Sequence, residues 1–573
     1  MKRLARLPDI FVFSAALLVT LHWSAAEAWA LQNEAGFMAM EPVSFYFHYG
    51  SRASRMELRS SEARLWYSFH AADRDPAARP LFVFFNGGPG SASSSGLMSM
   101  YTSRYTLDNR IESGGGDQYI PNPLSWTRLG NLLYVDPRQT GFSYSVLDDV
   151  ENWDVRFAEF NAQNFNTFFD GADVLRLLLR FLARHPELRD NPVVIVGESF
   201  GGARATAMLH LLLNYASYGD GTEMYQDPAL ATEIQAHLEA VFPEYRGLIV
   251  PPEVVARQFG HQVLIQPTLS MGYQWEVTER LWRRPESVLY QIGREAGIPY
   301  DPRRYPDPFV FIEEVAGRDP YTYTKPAGWL DSFFANAGRL LRFTSQLSLI
   351  TGTDVTRIPE LHASNRLQAY RLYDPDYDSE GRTATGGDSL DELLFLRLSR
   401  MEEWLALVEP GDVQSVFGPL QPWDRYFLGL NREANWAFHF FNVARVRGYE
   451  VNYRVPRFGR MFLKNVAHVR TFVTNAALDL VVYSEAIPPA LARHTEILTG
   501  VRYEREQPAG AARPGRIVLE YRPDAYANLP AIGTRTIRFP VYTRSCHAVS
   551  LTQPDDLNRD VVAWLAEAGF LDW

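Results

Sequence analysis

The chain has 573 residues, 46% of them hydrophobic and 13% aromatic, and its 67 acidic against 56 basic side chains give a formal net charge of -11. Such a composition belongs to a folded globular protein longer than one ordinary domain, and excludes a disordered or collagen-like chain. The acidic balance, with no basic stripe interleaved with aromatics, argues against a nucleic-acid partner.

At the N-terminus Lys2, Arg3 and Arg6 precede an apolar run from Ile10 to about Trp23, followed by the small-residue steps Ala26-Glu27-Ala28 and Ala28-Trp29-Ala30. That order predicts a secretory signal peptide over residues 1–30, cleaved after Ala28 or Ala30, with an uncleaved anchor as the alternative. No later stretch reaches the roughly 20 consecutive apolar residues of a spanning helix, so no membrane span is expected after cleavage. Cys546 is the one cysteine, which rules out an intrachain disulfide. A secreted or periplasmic protein is expected, of bacterial type, because eukaryotic exported enzymes of this size usually carry several disulfides.

Alternation of apolar and polar residues predicts antiparallel strands at Val43–Phe47 and Arg64–Phe69. The short continuous apolar runs Leu81–Phe85, Leu132–Val135 and Val193–Val196 read as parallel strands buried on both faces. Between Phe168 and Leu182 the spacing is helical, and a second helix is expected from about Ala203 past Leu212. Strand alternating with helix implies an α/β fold with a mostly parallel central sheet. Tyr245–Val250 reads as the next core strand. From there the rhythm lapses, so residues 251–456 are assigned to a large, mainly helical inserted cap. It divides the core into residues 31–250 and 457–573. Strands are expected again at Val469–Thr474 and Ile537–Tyr542, and a closing helix at about Asp555 to Ala568.

There is no Gly-rich loop ending in Gly-Lys-Ser/Thr, no HExxH and no paired-cysteine spacing, so no metal or cofactor is expected and side chains carry the chemistry. Gly197-Glu198-Ser199-Phe200-Gly201 lies between the strand at Val193–Val196 and the following helix, the strand-turn-helix setting of a nucleophile elbow. A serine hydroxyl needs a base to take its proton and a carboxylate to orient that base. His547 and Asp479 each follow a later core strand, in the order Ser, Asp, His of α/β-hydrolases. The glycine-rich Asn86-Gly87-Gly88-Pro89-Gly90 follows the strand Leu81–Phe85, and the backbone N–H groups of Gly88 and Phe200 are the candidate oxyanion donors.

These residues resemble the serine carboxypeptidases, a branch of the α/β-hydrolases. The resemblance rests on Phe85 to Ser91, on Asn122-Pro123-Leu124-Ser125-Trp126 leading into Asn131 to Asp136, and on Gly141-Phe142-Ser143-Tyr144-Ser145. Gly197-Glu198-Ser199 and the end motif around His547, with Gln553-Pro554, complete it. It implies an α/β-hydrolase fold and release of C-terminal amino acids from peptides through an acyl-enzyme on Ser199. By the same resemblance Asn86, Gly87 and Glu198 would hold the substrate's carboxylate. A glutamate beside a carboxylate is useful only when protonated: two like charges about 4 Å apart cost roughly 4 kcal/mol at an effective dielectric near 20, so an acidic optimum is expected. The chain departs from the family at Met100, near which eukaryotic members carry a second glutamate, and at Cys546, where a glycine is common. Glycine and aspartate are also absent near Asp479, where Ala476-Ala477-Leu478 stands instead. An esterase or acyltransferase with the same triad, and an inactive binding homologue, are the alternatives.

Overall fold

The computed structural model describes residues 31–49, 54–87, 92–107, 119–138, 142–145, 167–217, 225–270, scattered positions from 274 to 311, and then 457–476, 484–505, 512–526, 534–542, 545 and 549–570. Residues 1–30 and most of the expected cap lie outside them. Among the described residues no helix is long and apolar enough to cross a membrane.

The central sheet uses strands β1 (Glu34–Met40), β2 (Ala63–His70), β3 (Leu81–Phe85), β4 (Asn131–Val135), β5 (Val193–Glu198), β6 (His261–Ile265), β7 (Arg470–Ala476), β8 (Leu498–Arg505), β9 (Gly515–Tyr521) and β10 (Arg535–Arg538). Their order across the sheet is β1-β2-β4-β3-β5-β6-β7-β10-β9-β8. From β4 to β10 every neighbouring pair is parallel. The flanks are antiparallel: β1 and β2 on one side, β9 and β8 on the other. A short strand, β11 (Val541–Tyr542), pairs with the end of β7. A mostly parallel sheet in this order is the α/β-hydrolase fold.

Side-chain alternation explains why the central strands read as unbroken apolar runs. Along β3, Leu81, Val83 and Phe85 enter one buried cluster, and Phe82 and Phe84 enter the other. The first is covered by helices α1 (Thr167–Arg184), α2 (Gly201–Leu213) and α3 (Arg457–Val466). The second is closed by Trp126 and by Val561, Trp564 and Leu565 of α4 (Pro554–Glu567). With both faces dry, both parities of β3 are apolar.

One expected strand is absent, and the core boundary moves with it. Tyr245–Val250 contains Gly247 at φ 74, and Leu248 and Ile249 are 60% and 67% exposed. The next core strand is β6, inside the stretch assigned to the cap, so the core's first part runs at least to Ile265 instead of ending at 250. The predicted strand Ile537–Tyr542 is broken between Arg538 and Val541 into β10 and β11.

Candidate active site

Strand register brings the site together. Gly197 of β5 pairs with Phe85 of β3, which sets Glu198 beside Asn86. On the other side Glu198 pairs with Ile265, and Ile265 with Thr474 of β7. Asn475 in turn pairs with Val541 of β11. The strand ends therefore open on one edge, at the point where the chain leaves β3 and β5 in opposite directions, which is where doubly wound sheets form their crevice.

Ser199 occupies the turn between β5 and α2, at φ 57. A left-handed non-glycine residue costs about 1–2 kcal/mol and must be held by its surroundings. Here the Ser199 N–H donates to the Ile265 carbonyl at 2.9 Å, and the Ser199 carbonyl accepts from Gly202 N at 2.9 Å and Thr268 N at 3.1 Å. The turn is possible because Gly197 lacks a side chain: a Cβ there would stand 2.4 Å from the Gly201 oxygen. Ser199 remains partly exposed at the edge.

Gly87 lies against this elbow. A Cβ on it would sit 2.6 Å from both Phe200 N and Ser199 Cβ, so the backbone after β3 faces the peptide carrying the Phe200 N–H. The preceding Asn86 has a defined amide orientation. Its Nδ2 donates to Glu198 Oε2 at 2.8 Å and its Oδ1 accepts from Leu97 N at 3.0 Å. Asn86, Gly87, Glu198, Ser199 and Phe200 are thus assembled in one place. Gly88, Asp479 and His547 lie outside the described residues, as does Cys546. Met100 falls in the helical segment Ser94–Thr102, which also supplies the Leu97 N–H.

Residues 48–225 match the serine carboxypeptidase family model. The matched span covers the Asn86 loop and the serine elbow. Serine carboxypeptidase-like 41 of Arabidopsis thaliana is 31% identical over 163 residues, 27% of this chain and 30% of that one. Serine carboxypeptidase 1 of Hordeum vulgare is 30% identical over 152 residues, 26% of this chain and 27% of that one. Serine carboxypeptidase-like 21 of Arabidopsis thaliana is 24% identical over 290 residues, about half of each chain. The chain thus spans half or less of the length of the relatives it matches. A prohormone-processing carboxypeptidase from Saccharomyces cerevisiae superposes with a TM-score of 0.43 at 12% identity, covering 93% of this chain and 91% of that one. The relatives named are eukaryotic, and the expected bacterial type finds no support among them.

The motifs that resemble those of serine carboxypeptidases acquire physical roles beneath the site. Asp136, at the end of β4, accepts from Ser94 N at 2.9 Å, Ser94 Oγ at 2.7 Å and Phe142 N at 3.1 Å. Burial pushes its carboxyl up to about 6, against the lowering effect of those hydrogen bonds. Ser93 accepts from Asn86 N at 3.2 Å and donates to the Val135 carbonyl at 2.6 Å. One buried carboxylate and one hydroxyl thereby join three separated motifs.

Two further residues escaped the sequence reading. Arg204, 1% exposed, donates to the Asn86 carbonyl at 2.6 Å and to Asp170 Oδ2 at 2.7 Å. Its guanidinium lies 5.5 Å from the ring centres of both Phe85 and Phe200. Gln266, at φ 47, donates from its backbone to the Thr474 carbonyl at 2.9 Å, and its Oε1 accepts from Val549 N at 3.1 Å. It ties the strand beside the elbow to the helix that begins two residues after position 547. The signal for Arg204 was an arginine inside a helix rich in alanine and leucine; nothing local marked Gln266.

A serine-histidine pair away from the Ser199 edge is sealed off. Ser270 Oγ lies 2.9 Å from His494 Nε2, but both are buried. Gly459 covers them so closely that a Cβ would stand 2.4 Å from the hydroxyl. Among the described residues no group of His, Cys, Asp and Glu side chains is placed to hold a metal ion.

Proposed function

We propose that the chain is an exported serine carboxypeptidase that removes C-terminal amino acids from peptides. The observation that carries this reading is the 2.8 Å hydrogen bond from Asn86 to Glu198, next to a left-handed Ser199. In this reading the terminal carboxylate of a peptide lies against that amide and carboxyl group when its last peptide carbonyl meets the serine. Ser199 Oγ attacks that carbonyl while His547, oriented by Asp479, takes the hydroxyl proton. The N–H groups of Gly88 and Phe200 receive the oxyanion, each worth about 3–4 kcal/mol in the transition state. The carbon–nitrogen bond then breaks, the proton passes from His547 to the departing amino acid, and an acyl-serine ester remains. Water, deprotonated by His547, adds to that ester and releases the shortened peptide and the free hydroxyl. Asn86, Gly87 and protonated Glu198 hold the substrate's carboxylate.

Blocked dipeptides with a free or an amidated C-terminus test the reading. The free acid should be cleaved, fastest in acid, with Ser199→Ala inactive and a fluorophosphonate attached to Ser199 in the wild type. Equal cleavage of the amide would remove the exopeptidase claim. Met100, at the place of the family's second glutamate, favours one other reading: the same triad acting as an esterase or acyltransferase. Transfer of the acyl group to an added alcohol or amine in preference to water would establish that instead.

A further inference from the structure

The geometry points to a second binding pocket, distinct from the Ser199 edge, for a doubly charged organic anion with an apolar body. A cavity of about 330 Å³ is lined by Arg280, Arg284, Arg505 and Glu485 together with apolar and aromatic walls that include Tyr503 and Phe539. Three guanidinium groups against one carboxylate leave a surplus of two positive charges, in a chain whose net charge is -11.

The carboxylate is already engaged. Glu485 Oε1 lies 3.7 Å from Arg505, and the Arg505 guanidinium also lies 5.9 Å from the Tyr503 ring centre. Among the described residues no side chain forms a hydrogen bond or ion pair with Arg280 or Arg284. Two like charges four residues apart repel by a few tenths of a kcal/mol when nothing lies between them, and an acidic chain offers many carboxylates that could have neutralised them. A ligand anion would do so while bridging both forks. The aromatic lining suits a flat group: Tyr503 meets Phe539 edge to face, with ring centres 5.6 Å apart at 87°. The volume lies at the small end of the range for small-molecule sites, roughly 300–1,000 Å³, which fits one aromatic ring bearing a phosphate or a pair of carboxylates. This pocket draws its walls from the β8 strand, the Phe539–Val541 stretch, the short helix Ile487–Leu491 that carries Pro488 and Pro489, and the start of the inserted region, and none of Asn86, Glu198 or Ser199 lines it.

Calorimetric titration of the full chain with phenyl phosphate at low salt tests the assignment, with benzyl alcohol as the neutral probe. One phenyl phosphate should bind per chain, Arg280→Gln and Arg284→Gln should each weaken it about tenfold, and the double variant should weaken it about a hundredfold. Both arginines are exposed, so the variants should fold, and matching thermal melts verify this. Ser199→Ala should bind phenyl phosphate as the wild type does. Absence of binding to the wild type, unchanged affinity in the double variant, or benzyl alcohol binding as tightly as phenyl phosphate would each overturn the assignment. A tenfold loss in Ser199→Ala would place the ligand at the serine edge and overturn it equally.

Discussion

Arg204 and Asp170 form a buried ion pair, Nε to Oδ2 2.7 Å, with side chains 2% and 6% exposed, directly beneath the Asn86 loop. Burial raises the affinity of Asp170 for a proton, and the adjacent Arg204 charge opposes that effect. Removing one partner from such a pair strands the other charge in the interior. Arg204→Met should therefore cost about 3–5 kcal/mol of stability, read from urea denaturation, and Arg204→Met with Asp170→Leu should recover most of it. A single-variant loss below about 1 kcal/mol would show that the pair is not structural.

If Glu198 holds the substrate carboxylate as proposed, it sets the pH dependence of the reaction. An ionised Glu198 repels a substrate carboxylate, so wild-type kcat/KM should fall about tenfold per pH unit once Glu198 loses its proton. Glu198→Gln keeps a donor at every pH and should flatten that limb between pH 5 and 8. Parallel wild-type and variant profiles would assign the limb to another group.

Asp136 gives a stability that depends on pH with an unusual sign. Its folded-state carboxyl is raised to about 6 from an ordinary 3.8 by burial. Between those values the native state holds more of the proton than the unfolded state does. Its contribution is fully present below about pH 4 and is lost as pH rises through about 6, amounting to about 3 kcal/mol. The stability of wild type relative to Asp136→Asn, measured by urea denaturation from pH 4 to 7, should fall by about 2–3 kcal/mol. A difference that does not change with pH would contradict the assignment.

Gly87→Ala tests the close approach at the elbow. The added methyl must displace Phe200 N or the Ser199 side chain, each 2.6 Å away. Turnover of a blocked dipeptide should fall about a hundredfold and stability by about 1–3 kcal/mol. A near wild-type kcat would mean that the loop and elbow can separate without loss.

Much of the core was legible because its signals are local. Leu81–Phe85 and Val193–Val196 are apolar on both parities, and a strand buried on both faces needs no more than that. The helix over Thr167–Arg184 followed from spacing alone. Tyr245–Val250 misled for the same reason: a short apolar run reports a tendency to burial and does not distinguish a strand from a turn. Gly247 at φ 74 settled it as a turn. The true strand β6 begins with His261 and Gln262, and Gln262 is fully buried, its Nε2 donating to Thr471 Oγ1 at 2.8 Å on the neighbouring strand. A polar residue whose hydrogen bond reaches a distant partner carries no local mark of burial.

The amino-acid sequence by itself determined the buried strand runs, the helix spacing and the strand-serine-helix turn, since each depends on residues within one or two turns of chain. Only the tertiary structure decided that Glu198 stands beside Asn86, that Asp136 gathers three motifs, and that Arg204 is neutralised by Asp170. Those are meetings between residues far apart in the chain. Sheet register and burial choose them, and no periodicity records them.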